Sequence, residues 1–194
     1  MPETWFISDT HFGHANILTF KNAVGKLVRE FSSVEEMDET MVQRWNGVVR
    51  DQDRIYHMGD VAMNHRCLPI MSRLKGKKVL IKGNHDIFKL KDYTPYFEDI
   101  RAYKIFPKHG LVVSHIPVHT CQLEGRFKIN AHGHMHQNIL PDARYINLCV
   151  EHTDYRPVTL NEVMFRAEQR ETMQEIARLL TEQNKELEKI PWKQ

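Results

Sequence analysis

The chain has 194 residues, of which 41% are hydrophobic and 27% are charged, which is enough for one domain with its own core. A net charge of +2 gives no electrostatic argument for a nucleic-acid-binding protein. Three widely spaced cysteines without a CxxC pair argue against a disulfide framework and fit a reducing compartment.

The N-terminal residues show no basic segment followed by an apolar run, as a signal peptide would. No apolar stretch approaches the roughly 18 residues that a membrane helix needs. We therefore expect a soluble, cytoplasmic protein with no membrane partner.

The first half of the chain predicts, in order, a strand, a helix, a strand, a short helix and a strand. These elements cover residues 4–8, 34–49, 54–58, 65–75 and 78–82. Ser33 is placed to cap the first helix, with acidic residues in the first turn. Met37, Met41 and Trp45 recur at helical spacing and should face the core.

The second half predicts four strands and then one long helix. These elements cover residues 101–106, 111–114, 127–131, 144–150 and 159–189. Thr159 and Glu162 form a capping-box pattern at the start of the helix. Apolar residues continue at helical spacing from Met173 to Leu187 and Ile190, and Pro191 ends the pattern. Two interpretations stay open: the helix packs along the domain, or it mediates a homo-oligomer contact.

Asp, Asn or His residues follow five of the predicted strands. They are Asp9, His11, Asp60, Asn84, His85, His115, His134 and His136. In extended chain, residues two apart point the same way, so each pair Asp-x-His or His-x-His can converge on one point. Carboxylate, imidazole and amide ligands without a thiolate favour Mn, Fe or Zn over a structural zinc site. The number of ligands suffices for two metal ions if one carboxylate bridges them.

The same positions carry a family resemblance. The blocks Asp9-x-His11, Gly59-Asp60, Gly83-Asn84-His85-Asp86, Ser114-His115 and Gly133-His134-Met135-His136 resemble the five signature blocks of calcineurin-like metallophosphoesterases. The segment 155–162 is similar to the closing segment of small bacterial and phage members. The resemblance implies an α/β fold, a four-layer α/β/β/α sandwich over residues 1–168. Residues 169–194 lie outside the resemblance, and their helical pattern predicts a C-terminal helical extension.

The resemblance also implies the chemistry. It assigns the first metal to Asp9, His11 and His136, the second to Asn84, His115 and His134, and the bridging position to Asp60. Metal-bound hydroxide would attack a phosphate ester, and His85 would protonate the leaving oxygen. Manganese is the first expectation for both ions, with iron, zinc, nickel or magnesium as alternatives.

One departure narrows the subclass. Protein Ser/Thr phosphatases of this superfamily extend the second block to Gly-Asp-x-x-Asp-Arg-Gly and have Glu after the His of the third block. Here residues 59–65 read GDVAMNH and Asp86 follows His85. This favours a phosphodiesterase and leaves open what Asp86 contacts. His14 and Arg66 are candidates for substrate binding, and His132 could also face the site.

Two alternatives remain. A nuclease or RNA-end-processing enzyme would use the same chemistry, although the net charge does not support a nucleic-acid partner. A non-catalytic scaffold of the same fold is the other, but none of the expected ligands is missing. The natural phosphate-ester substrate cannot be read from the motifs.

Overall fold

The computed structural model describes residues 1–188, which form two β-sheets and three α-helices. The strands are β1 Thr4–Ile7, β2 Arg54–His57, β3 Lys77–Ile81, β4 Asp99–Arg101, β5 Tyr103–Phe106, β6 Leu111–Ser114, β7 Ile129–His132, β8 Tyr145–Asn147 and β9 Val158–Thr159. The helices are α1 Val34–Val48, α2 Leu90–Tyr93 and α3 Leu160–Glu188. Residues 189–194, including the predicted helix end at Ile190 and Pro191, lie outside the described residues.

The first sheet has the strand order β4-β3-β2-β1-β9, in which only β9 runs antiparallel to its neighbour. The second has the order β5-β6-β7-β8, with β5 antiparallel and the other three strands parallel. In the first sheet Ile7 pairs with His57, and His57 with Leu80. The parallel strands therefore deliver their C-terminal loops to one edge of each sheet, where ligand sites of α/β proteins form.

The two sheets pack face to face. Phe6 and Ile81 of the first sheet and Val113 of the second are fully buried in one cluster between them. A parallel bridge between Ser8 and Cys149 joins the chain just after β1 to the chain just after β8. The predicted α/β class is thus confirmed, with two sheets and a C-terminal helix. The outer face of the second sheet carries a small cluster of Val112, Leu123 and Tyr145.

Helix α1 covers the other face of the first sheet. Met37, Met41 and Trp45 are buried there, as the sequence predicts. Burial of each such side chain contributes roughly 1.5–3 kcal/mol. The cap is also confirmed, because the Glu36 N–H donates to Ser33 Oγ at 3.1 Å.

Two predicted elements take a different form in the structure, and β9 and α2 are not among the predicted elements. The predicted strand 101–106 is divided between β4 in the first sheet and β5 in the second, so the chain crosses between the sheets at Ala102. The predicted short helix at 65–75 is a 3-10 helix over His65–Arg73. Pro69 lies inside it and has no N–H to donate, which disfavours a regular α-helix.

Helix α3 runs without a break across residue 168, and its first half packs on the domain. Val163 and Ala167 of this helix are buried in the same cluster as Phe6, Ile81 and Val113. Arg170 Nη2 donates to the Leu140 carbonyl at 2.7 Å, and Gln174 Oε1 accepts from the Ala143 N–H at 3.0 Å. The turns after Gln174 are exposed as far as Gln183. Within residues 1–188, no helix has the length and apolar character to cross a membrane.

Candidate metal centre

Three turns at the ends of β1, β2 and β3 lie against one another. The Asp9 N–H donates to the Gly59 carbonyl and the His11 N–H to the Asp60 carbonyl, both at 3.0 Å. Gly59 has φ +96°, and a Cβ there would lie 2.5 Å from the Gly83 nitrogen. A side chain would therefore push the turns apart, so glycine is required by both conformation and space.

The backbone is left-handed at five of the predicted metal ligands. These are Asp9, His11, Asp60, His134 and His136, with φ between 47° and 68°. The other described non-glycine residues with positive φ are Asp154 and Tyr155. Such residues cost of order 1–3 kcal/mol each and are found where the surroundings enforce them, often at functional sites. The strain is thus concentrated at the candidate ligands.

The first predicted ligand group converges. Asp9, His11 and His136 each offer a ligand atom, and these atoms lie within 4.8 Å of one another. Asp9 Oδ1 and both ring nitrogens of His11 are buried and have no hydrogen-bond partner within residues 1–188. Buried polar atoms without partners are uncommon and call for an explanation. A metal ion bound to Asp9 Oδ1 and one His11 nitrogen would satisfy two of these three atoms, so this residue set fits a cation.

The second predicted group converges beside it. Asn84 Oδ1 lies 2.8 Å from His115 Nε2 and 2.9 Å from His134 Nδ1. Asp60 Oδ2 lies 3.5 Å from His115 Nε2 and, on its other side, 3.6 Å from His11 Nε2. One carboxylate oxygen is therefore shared between the two groups, as a bridging ligand would be.

The charges of the site match an environment built for cations. Burial lowers the pKa of His11 far below its usual value, and the Arg29 charge adds to this effect. Burial raises the pKa of Asp60 to about 6; nearby His115 opposes the rise and Asp9 adds to it. A neutral His11 imidazole and an Asp60 carboxyl that resists ionisation are the effects of clustering ligands in a buried site. A divalent ion would reverse the rise in the pKa of Asp60 and lower the pKa of His11 further, because metal ligands bind in their deprotonated forms.

Asp86 is fully buried and acts on the turns themselves. Its Oδ2 accepts from the Asp60 N–H at 2.9 Å and the Gly83 N–H at 2.8 Å, and its Oδ1 from the Val61 N–H at 3.0 Å. The contact of Asp86 that the sequence left open is therefore the backbone of the second and third blocks. Through these bonds Asp86 fixes the backbone turn that carries the Asp60 carboxylate.

Sequence reasoning missed two further residues of the site. The buried Arg29 donates through Nη2 to the Asp9 carbonyl at 2.5 Å and through Nη1 to the Thr10 carbonyl at 2.9 Å. Glu151 Oε1 lies 3.1 Å from His136 Nδ1, the position of a carboxylate that orients a metal-binding histidine. Burial raises the pKa of Glu151, but His136 and Arg29 outweigh it and lower the pKa to about 2. Both residues lie outside the signature blocks, and no spacing pattern marks them.

The remaining predicted residues lie at different distances from the ligands. His85 is exposed, with its ring centroid 5.6 Å from that of His11, and its N–H donates to Asp60 Oδ1 at 2.8 Å. The His14 ring is also 5.6 Å from the His11 ring. Arg66 is exposed, and within residues 1–188 no hydrogen bond or ion pair joins its side chain to the candidate ligands. His132 is buried, and its ring packs edge-on against Tyr145.

Comparison with known proteins places the chain among relatives of unknown activity. No protein-family model matches it. The uncharacterized protein MJ1445 of Methanocaldococcus jannaschii is 35% identical over 175 residues, which cover 84% of this chain and 90% of that protein. The chain belongs to the MJ1445 family. The gene 66 protein of Mycobacterium phage L5 is 30% identical over 121 residues, 60% of this chain and 52% of the phage protein.

A solved structure resembles this fold. The crystal structure of AQ665, a protein of unknown function from Aquifex aeolicus, superposes with a TM-score of 0.68 at 27% identity. The match covers 84% of this chain and 98% of AQ665. Neither MJ1445 nor AQ665 carries a name that assigns an activity.

Proposed function

We propose that the chain is a dinuclear-metal-dependent phosphoesterase of the calcineurin-like type that prefers phosphodiesters to phosphomonoesters. The observation that carries the proposal is the position of Asp60 Oδ2, which lies 3.6 Å from His11 Nε2 and 3.5 Å from His115 Nε2. A buried carboxylate oxygen between two ligand groups suits two ions at the short spacing that phosphoryl transfer uses. The four-layer sandwich of that superfamily is part of the proposal.

Each ligand has a role in this proposal. Asp9, His11 and His136 would hold one ion, Asn84, His115 and His134 the other, and Asp60 would bridge them. Two divalent ions bound there, manganese first, would activate water as the nucleophile and stabilise charge on the phosphoryl oxygens. Left-handed turns and the Asp86 hydrogen bonds fix the ligands before an ion arrives, which reduces the cost of binding one.

His85 is the proposed proton donor to the leaving oxygen. Its backbone N–H is bonded to Asp60 Oδ1, so the imidazole is attached close to the bridging carboxylate. Its exposure leaves the ring free to reach a bound ester. The preference for diesters rests on the second block, where residues 59–65 read GDVAMNH and lack the Asp and the phosphate-binding Arg of the protein Ser/Thr phosphatases.

Cleavage of nucleic-acid phosphodiesters is the alternative with the same chemistry. A net charge of +2 does not support the binding of a long nucleic-acid polymer. A scaffold without catalysis is the other alternative. It predicts bound metal without turnover, whereas the proposal predicts both.

The experiment is hydrolysis of bis(p-nitrophenyl) phosphate and p-nitrophenyl phosphate by the full chain with added Mn²⁺, and then with a chelator. We expect chelator-sensitive turnover, higher on the diester, and a metal series with Zn²⁺, Ni²⁺, Fe²⁺ and Mg²⁺ would rank the ions. No chelator-sensitive turnover of either ester would overturn the proposal.

Two variants separate the roles. His85→Ala should lower kcat by about 10²–10⁴-fold, the range for a general acid, while the protein still binds two metal equivalents by elemental analysis. Asp60→Asn should lower the metal content at both sites, because Asp60 is the proposed bridging ligand. His109→Ala, an exposed histidine at a distant turn, is the matched control. Metal loss in His85→Ala would show that His85 is itself a ligand.

A further inference from the structure

A cavity of about 360 Å³ opens directly beside the candidate metal centre. His134 and His136 line it, so it is continuous with both ligand groups. Phe20 and Lys21 line one side, and Met135 and Gln137 line another. A volume near the lower end of the 300–1,000 Å³ typical of ligand pockets has room for one small group beside the metals.

The Phe20 side of the cavity is a hairpin-like loop over residues 20–28. The Val28 N–H donates to the Phe20 carbonyl and the Asn22 N–H to the Lys26 carbonyl, both at 2.8 Å. Arg29 follows immediately and is bonded to the Asp9 and Thr10 carbonyls. The loop is thus attached at its C-terminal end to the turn that carries Asp9, which gives its residues a defined position relative to the ligands.

The opposite side is also held in place. Asn147 Nδ2 donates to the carbonyls of His136 and Asn138, each at 2.8 Å. The Met135 N–H donates to the Gly133 carbonyl at 2.8 Å. Because these bonds hold the segment 133–138 in one conformation, little of the binding energy of a ligand would be lost in ordering this wall.

The chemistry of the lining is aromatic, apolar and cationic. Phe20 is about half exposed (48%) and packs edge-on against His14, with ring centroids 5.7 Å apart. Within residues 15–28 the charged residues are Lys21 and Lys26, with no acidic residue. Gln137 and Asn138 add amides, which both donate and accept hydrogen bonds. An aromatic surface next to lysine suits a nucleobase attached to a phosphate.

We propose that this cavity binds the nucleoside part of a nucleotide phosphodiester whose phosphate is hydrolysed at the metal centre. Phe20 stacks on the base, Lys21 attracts the negative charge, and the amides of Gln137 and Asn138 contact the polar edge of the base. The inference rests on the proposed phosphoesterase function and names its substrate class, a small nucleotide ester. A cavity of about 360 Å³ has room for one small group, and the net charge of +2 does not favour a polymer.

The kinetic test compares two diesters with the same leaving group, thymidine 5′-(p-nitrophenyl phosphate) and ethyl p-nitrophenyl phosphate. The wild-type chain should prefer the nucleoside ester in kcat/KM. Phe20→Ala should lower kcat/KM for the nucleoside ester about tenfold more than for the ethyl ester, as expected when one stacked base is lost. Phe20→Tyr should retain the preference. Phe165→Ala, an exposed phenylalanine on α3, is the matched control. Equal loss on both esters would overturn the inference.

A binding test does not depend on turnover. Calorimetric titration of the metal-loaded chain with thymidine 5′-monophosphate and with inorganic phosphate should show about tenfold weaker nucleotide binding in Phe20→Ala, with little change for phosphate. Nucleotide binding that depends on Phe20 without hydrolysis would refute the proposed function and leave the cavity assignment standing. Hydrolysis without a nucleoside preference, and with nucleotide binding unchanged in Phe20→Ala, would refute the cavity assignment alone. Neither hydrolysis nor nucleotide binding would refute both.

Discussion

Arg29 Nε and Glu151 Oε1 form a buried ion pair at 2.8 Å, although the two residues are 122 positions apart. Arg29 also holds the carbonyls of Asp9 and Thr10, and Glu151 also contacts His136. The pair therefore connects the first and last blocks of the candidate metal centre. Removal of the pair should lower both the stability of the fold and the affinity of the site for metal.

Glu151→Gln should lower stability by about 3–5 kcal/mol, because it leaves the Arg29 charge buried without its partner. Urea denaturation of the metal-free protein measures this change. The double variant Arg29→Met/Glu151→Gln should lose less than the sum of the single variants, since the two side chains act as a unit. Additive losses would mean that the pair contributes nothing as a pair.

Asp86→Asn should weaken metal binding by about 10–100-fold without removing a ligand, because one amide cannot accept the three backbone N–H groups that the carboxylate now accepts. Competition with a fluorescent chelator measures the affinity. Asp92 lies near the surface in α2, and among the described hydrogen bonds its carboxylate accepts only from the Lys89 N–H. Asp92→Asn therefore serves as the control. Unchanged affinity in Asp86→Asn would contradict the positioning role.

Gly133→Ala should disrupt the site, whereas Gly47→Ala should stabilise the fold. A Cβ at Gly133 would lie 2.0 Å from Ser8 Oγ and 2.3 Å from Asp9 Oδ2. A Cβ at Gly47, in α1, meets nothing within 4 Å. Gly47→Ala should therefore raise the free energy of unfolding by roughly 0.5–1 kcal/mol, because alanine favours helix. Thermal melts and metal content of both variants test this. Normal metal content in Gly133→Ala would show that the turn can shift.

Asp53→Asn should destabilise the protein at pH 7 and somewhat less at pH 3. The buried Asp53 carboxylate accepts from the Glu3 N–H, Trp5 Nε1 and Arg50, at 2.9–3.2 Å. Burial alone would raise its pKa, but these bonds, those of Arg50 first, lower it well below the usual value. A carboxyl with a lowered folded pKa contributes stability above its unfolded pKa, near 3.9, and loses it as the pH falls further.

The loss at pH 7 should be about 2 kcal/mol or more, the size of a charge-assisted hydrogen bond. Denaturant midpoints of wild type and variant at pH 7, 5 and 3 measure the difference. Asp51→Asn, an exposed neighbour, should show no such pH dependence. A difference between Asp53→Asn and wild type that is the same at all three values would mean that the charge of Asp53 is not what stabilises the fold.

Much of the fold could be predicted because its signals are local. The Ser33 cap, the helical spacing of Met37, Met41 and Trp45, and the short apolar strands each occupy a few consecutive residues. The division of residues 99–106 between two sheets could not be predicted in this way. It depends on pairing of β4 with β3 and of β5 with β6, which is a property of distant chain segments.

The candidate site shows the same limit. The i, i+2 pattern predicted that Asp9 and His11 converge, and both belong to the first ligand group. The same pattern was wrong for His134 and His136, which lie in different ligand groups because the backbone there is left-handed and not extended. The pattern also made His132 a candidate, but its ring packs against Tyr145, because that position belongs to the strand and not to the turn that follows it. Arg29 and Glu151 left no signal, since a buried ion pair between distant residues has no spacing.

The two sheets meet at the candidate metal centre. Asp9, Asp60 and Asn84 follow strands of the first sheet, and His115 and His134 follow strands of the second. Metal ions bound by ligands from both sheets would link the two halves of the domain. Pulling the sheets apart would then require breaking coordination bonds, so bound metal would lengthen the time for which the folded chain survives heat or protease.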